Sequence, residues 1–340
     1  MLRRRAAVIA TVLASGALLA FASAASAARI EVIDGTAVFT AAGGERNNVR
    51  AVTRFPVTML TVSDNGAPLH AGGGCRQIDA HTATCDEDPL APRPLVVSTR
   101  DRGDTVLVDD DEFRNVTVRS GSGNDDVDVG SRVGAPALLD GGPGDDELLT
   151  RENSPDNPIL KGGDGDDVLT LAEAGGGRAY GGDGNDELVF GARLISGPPL
   201  LLDGGDGNDT YTYTQQFIPT AMVASSGFDT LDESGPIQPF TGIDFDMNTC
   251  PGCVERVIGT DTTDTITGDQ RSQAILGGDG DDVLDGGGGT DVIAGGAGND
   301  TITSNDGIFD AVSCGADLDT VTADSHDLLS RDCETILPPV

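Results

Sequence analysis

The chain has 340 residues, of which 38% are hydrophobic, 4% aromatic and none Trp, while 48 are Gly, so the composition argues against a large aromatic-filled core. Its 21 basic and 56 acidic residues give a net charge of −35, which opposes any nucleic-acid partner. Low hydrophobicity at such a charge is the composition of a disordered chain unless something else supplies order.

Residues 1–28 read as a signal peptide: Arg3, Arg4 and Arg5 open it, an Ala-rich apolar run over 6–22 comes next, and Ala25-Ser26-Ala27 forms a small-residue cleavage site. The run is short for a membrane span and no second one of spanning length occurs, so the mature protein is expected to be secreted, extracellular and without a membrane span. Residues 29–97 carry short β-type runs at 30–32, 37–40, 49–52 and 57–62. They are separated by Asp34-Gly35, Gly43-Gly44 and Asp64-Asn65-Gly66, and this predicts a small N-terminal β domain that caps the remainder of the chain.

The cysteines Cys75, Cys85, Cys250, Cys253, Cys314 and Cys333 fit an oxidising compartment. Several connectivities are open, the simplest joining sequence neighbours as 75–85, 250–253 and 314–333. Cys250-Pro251-Gly252-Cys253 also has the spacing of a redox pair. Its acidic surroundings (Asp244, Asp246, Glu255) and β-rich context lack the helix N-terminus that lowers a thiol pKa, so a structural clip is expected.

A nonapeptide GGxGxDxUx, with U apolar, fills the middle of the chain. It reads GGPGDDELL from Gly141, GGDGDDVLT from Gly162, GGDGNDELV from Gly181, GGDGNDTYT from Gly204 and GGDGDDVLD from Gly277. Weaker copies begin at Ser120 and Ala224, and five units run without a gap from Gly259 to Thr303. Upstream, the sixth-position acids Asp125, Asp146, Asp167, Asp186, Asp209 and Asp229 lie 21, 21, 19, 23 and 20 residues apart, two nonapeptides plus a short excess. Alternate half-turns there, such as 172–180, have lost the motif.

Gly at the first, second and fourth places permits positive φ and close backbone approach, and the last three places suit a short strand whose eighth residue points inward. Coils of two such units, stacked in parallel about 4.8 Å apart, align their acids along an edge. Two carboxylates about 5 Å apart repel by roughly 3 kcal/mol at an effective dielectric of 20, so such a column needs cations. Calcium, with six to eight oxygen ligands and flexible geometry, suits the site better than magnesium.

The pattern resembles the hemolysin-type calcium-binding repeat, the RTX nonapeptide, over roughly residues 98–303. The resemblance implies a parallel β-roll with Ca2+ held between successive turns by the sixth-position Asp and turn carbonyls. The implied ligands are Asp125, Asp146, Asp167, Asp186, Asp209, Asp229, Asp264, Asp282, Asp291 and Asp300, while Gln273 stands where an Asp is expected. GERNNV with the Cys75/Cys85 pair, and 20 Arg against the one Lys161, resemble secreted actinobacterial repeat proteins. The expected fold is therefore all-β: a parallel β-roll (β-solenoid) over 98–303 behind the N-terminal unit, closed over 304–340 by a degenerate-repeat cap with Cys314 and Cys333.

Catalytic motifs are not found. His70, His81 and His326 are scattered and form no HExxH, and no GxSxG elbow, Walker loop or EF-hand loop can be read. The expected function is calcium binding by a secreted, non-enzymatic protein in a structural or surface role, its folding driven by calcium. The alternatives are an extracellular adhesin or carbohydrate-binding module, for which Tyr180, Tyr211, Tyr213 and scattered Phe are the available aromatics, and a calcium-dependent extracellular hydrolase.

Overall fold

The computed structural model describes residues 27–54, 57–86, 93–110, 115–131, 136–151, 157–172, 176–191, 200–213, 222–223, 226–235 and 242–338. The signal segment up to residue 26 and Ala224 of the weak repeat copy lie outside the described residues. Among the described residues every element is a β-strand except one 3-10 turn, Met247–Thr249. The strands form sheets of nine, sixteen and six members.

From Leu95–Ser98 onward the inter-coil pairings are parallel, each strand bonding to its counterparts in the coils before and after. Glu147–Thr150, for example, lies between Asp126–Ser131 and Val168–Leu171. The expected β-roll is thus the observed fold. The eighth-position residues stack in register: Val106, Val127, Leu148, Leu169, Leu188, Tyr211, Leu231, Val257, Ile275 and Ile293 are successive partners. None is more than 1% exposed. In the nine-stranded sheet Phe39, Val97, Val118, Leu139, Leu160, Ala179 and Leu202 form the same kind of row. Each such aliphatic side chain contributes about 1.5–3 kcal/mol by burial, and this thin seam is the core.

The N-terminal unit grows out of the same sheets. Ala28–Ile33 and Thr36–Thr40 form an antiparallel hairpin around Asp34 and Gly35, both at positive φ as a tight two-residue turn demands. Asn48–Arg54 pairs antiparallel with Val57–Asp64, which pairs with Thr82–Asp86. Thr36–Thr40 then bonds in parallel to Leu95–Ser98, and Asn48–Arg54 to Thr105–Asp110, so the first coil of the roll has covered edges. At the other end Ala311–Ala316 and Thr320–Ala323 continue two sheets beyond the repeat, and Cys314–Cys333 ties the last rungs together. Cys75–Cys85 and Cys250–Cys253 are also bonded, giving the three local pairs. Among the described residues no helix is long and apolar enough to cross a membrane.

Candidate metal centre

Each complete repeat places its Gly residues where neighbouring coils nearly touch. Gly142 and Gly144 have φ of 109° and 136°, and a Cβ on either would strike the carbonyl oxygen of Gly121 or Gly123 in the coil before. Only Gly combines that φ with that approach. The chain can then turn tightly enough to bring the sixth-position Asp under the next coil.

There the acids form two ladders. In the first, the backbone N–H of Asp125 donates to Oδ1 of Asp146, Asp146 to Asp167, Asp167 to Asp186, Asp186 to Asp209 and Asp209 to Asp229, at 2.7–2.9 Å. The second runs from Asp264 to Asp282 to Asp300 to Asp319 at 2.8–2.9 Å. Each carboxylate thus accepts an amide hydrogen that would otherwise be orphaned at a buried coil corner.

The second carboxylate oxygen is the chemically open one. Oδ2 of Asp125, Asp146, Asp167, Asp186, Asp209, Asp282, Asp291 and Asp300 is buried and has no hydrogen-bond donor. In the complete repeats it lies against the first Gly of its own unit, and at Gly141, Gly162, Gly181, Gly277 and Gly295 a carbonyl oxygen of the next coil lies there too. A Cβ on Gly141 would meet both Asp146 Oδ2 and the Gly162 carbonyl, and one on Gly277 would meet Asp282 Oδ2 and the Gly295 carbonyl. Anionic and carbonyl oxygens converging on a space from which donors are missing fit a hard cation such as calcium. Burial without a counter-charge pushes Asp146, Asp282 and Asp291 up to about 7, and Asp167, Asp186 and Asp209 to about 6. Burial likewise raises Asp125, Asp264 and Asp300.

All ten acids read from the sequence are buried and lie on one of the two ladders. Asp291 continues the first, with its Oδ1 accepting from Gln273 N at 2.8 Å and its own N–H passing to Asp310 at 2.8 Å. Gln273 therefore keeps its amide on the ladder, while its own side-chain oxygen accepts no hydrogen bond. Asp264 differs from the rest: both its oxygens accept from Thr260, whose N–H lies 2.7 Å from Oδ2. The three histidines do not come together. His81 contacts the Asp64 and Ala67 carbonyls, His326 pairs with Asp324, and His70 is exposed on Leu69–Ala71. Cys314, Asp332 and Cys333 are clustered, but both sulfurs belong to a disulfide.

Several rungs fall outside the consensus. Asn47, Asp104, Glu255, Asp310 and Asp327 extend the first ladder, and Asp319 and Glu334 end the second. They share one signal, an acid or amide two residues before an apolar residue, and that residue points inward in Asp104-Thr105-Val106 and Asp310-Ala311-Val312. The fifth position also has a task that spacing alone hides. Asp166, Asn185 and Asn208 donate their N–H groups to the side chains of Asp145, Asp166 and Asn185, forming an outer ladder on the exposed rim.

The RTX calcium-binding nonapeptide repeat (4 copies) matches residues 159–173, 258–293 and 267–302. The chain carries hemolysin-type calcium-binding repeats. Two of the matched stretches cover Asp264, Asp282 and Asp300 of the second ladder, and the other covers the turn of Asp167, so the match includes Asp167, Asp282 and Asp300, whose Oδ2 atoms are open. No curated protein matches the chain.

Proposed function

We propose that this is an exported, non-enzymatic calcium-binding protein whose β-roll is completed by calcium, and that it serves a structural or surface role outside the cell. The observation that carries the reading is the row of buried carboxylate oxygens lacking any donor, those of Asp146, Asp167, Asp186, Asp282 and Asp300 each facing a Gly and a neighbouring carbonyl. The sixth-position Asp residues would hold the ion together with the first-position carbonyls of the next coil. Bound calcium supplies positive charge that cancels the repulsion along each ladder, and the Asp Oδ1 atoms keep the coil amides satisfied. The N-terminal signal and the three disulfides support export into an oxidising space.

The test is circular dichroism of the mature chain from residue 29, first in chelator and then in millimolar calcium. The expected outcome is a gain of β signal on adding calcium, with a midpoint in the range of extracellular modules, about 10⁻⁴ to 10⁻³ M. Identical spectra in the two conditions would exclude the reading.

A further inference from the structure

The first ladder has one unit in which the cation's oxygens are already taken. Its carboxylate-to-amide links run from Asp229 to Glu255 and resume from Gln273 to Asp291, but Glu255 gives its own N–H to the Asp229 carbonyl. At this joint lies the unit GDQRSQAIL, with Arg271 in place of the fourth Gly and Asp269 in place of the second. Arg271 Nη1 lies 2.8 Å from Glu255 Oε1, Nη2 lies 3.0 Å from Asp269 Oδ2 and 3.4 Å from the Val254 carbonyl, and Nε lies 3.1 Å from Asp269 Oδ2. Two carboxylates and a backbone carbonyl thus converge on one positive group. Elsewhere in the roll carboxylate and carbonyl oxygens converge in the same way, but with no donor between them.

We propose that the Arg271 guanidinium takes the place of a calcium ion at this rung, so that the joint between the two halves of the roll is held by a protein cation and forms without metal. The proposal rests on the reading that the other rungs take calcium. The rest of the unit is consistent with the exchange. As Arg271 adds a positive charge, the sixth-position acid is replaced by neutral Gln273. Its Nε2 donates to Asp269, and its Oε1 is left in the Gly268 cradle beside the Gly286 carbonyl. Glu255 is one methylene longer than the Asp of other rungs, so one oxygen serves Asp229 N while the other reaches Arg271. On the same coil Thr260 donates to both oxygens of Asp264, filling the first rung of the second ladder from the protein as well. The Cys250–Cys253 clip lies immediately before Val254, which is fully buried and supplies the carbonyl. A guanidinium meets the charge and directional needs of two carboxylates and cannot be chelated away.

The test combines hydrogen exchange with a count of bound calcium, using the mature chain as wild type, Arg271→Ala and the double variant Arg271→Gly/Gln273→Asp, which restores the fourth Gly and the sixth Asp of the repeat. In chelator the wild type should protect amides over 254–276 while 277–300 exchange freely. Arg271→Ala should exchange roughly tenfold faster or more over 254–276 in chelator, yet fold in saturating calcium. The double variant should bind at least one calcium more than the wild type and protect 254–276 only when calcium is present. Equal protection of 254–276 and 277–300 in wild type without calcium, or an unchanged ion count in the double variant, would overturn the proposal. A wild type that binds no calcium overturns the calcium-binding function instead, and the ion count of the wild type tells the two failures apart.

Discussion

Among the described residues between 95 and 213 only one edge of each coil carries an acid column, whereas from Asp264 to Asp319 both edges do. On the acid-free edge the strands are entered through Pro94, Asn115, Pro136, Pro158, Gly177 and Leu200. The carbonyls of Pro94, Asn115 and Pro136 accept the N–H groups of Ala37, Leu95 and Val116; the three accepting residues are exposed, so no amide of theirs is buried at the corner, and the two prolines bring no N–H of their own. On the acid edge every corner residue does have an N–H, a carboxylate is drawn in to accept it, and the second oxygen of that carboxylate then calls for a cation. On the proposed function, dependence on metal follows from how a coil corner disposes of one amide hydrogen. The C-terminal half, with acids on both corners of coils 18–19 residues apart, should depend on it more.

The largest effect that could break this contrast is expected at Asp282, central in the second ladder. Asp282→Ala removes the acceptor of Asp264 N–H and an open oxygen together. An unsatisfied buried N–H alone costs about 1–3 kcal/mol, so the calcium midpoint for folding should rise roughly tenfold or more. Gln273→Ala deletes an uncharged side chain whose ladder amide survives, and should raise the midpoint less. Calcium titrations of the two variants followed by circular dichroism check this, and equal midpoints would contradict it.

Much of the roll is legible in the sequence, because the consensus couples a backbone requirement to a side-chain one. Gly at the close approaches and an apolar residue at the eighth place are each dictated by sterics or burial. Asp125 through Asp300 can accordingly be assigned from spacing, and the β-type runs at 30–32, 37–40, 49–52 and 57–62, set off by turn residues, fall within the strands Ala28–Ile33, Thr36–Thr40, Asn48–Arg54 and Val57–Asp64. Two things cannot be read. Asp104 and Asp310 sit in turns whose Gly pattern has decayed, so only the acid and the apolar residue two places on survive to mark them. The partners of Arg271 come from residues up to 17 positions away, and one of them comes just after a disulfide, so its role depends on coil register rather than on any local pattern.

A moderate effect is expected with pH. Burial raises Asp146, Asp282 and Asp291 to about 7, above their unfolded value of 3.8, so the metal-free folded chain binds more protons than the unfolded one between those limits. That contribution is fully present below 3.8 and is lost as pH rises through about 7. In chelator, acidifying from pH 8 to 5 should therefore increase the β signal. With calcium present, the same protons compete with the ion, so the midpoint should be higher at pH 6 than at pH 8. A midpoint independent of pH across that interval would show that these carboxylates do not hold the ion.

The smallest effect is expected on the acid-free edge. Pro136→Ala keeps the carbonyl that accepts Val116 N–H. It should lower stability by only about 0.4–1 kcal/mol through the greater freedom of the unfolded chain, with the calcium midpoint almost unchanged. A midpoint shift as large as that of Asp282→Ala would erase the distinction between the two edges.

The central claim, that a cation completes the buried Asp ladders, is met most directly by residue-resolved hydrogen exchange of the mature chain with and without calcium, read at the ladder amides themselves. The N–H groups of Asp146, Asp167, Asp186, Asp282 and Asp300, each donated to the next Asp, should be strongly protected in calcium and exchange freely in chelator at pH 8. Full protection of those five amides in chelator would contradict the account, because it would show the carboxylate columns standing without the charge they are proposed to require.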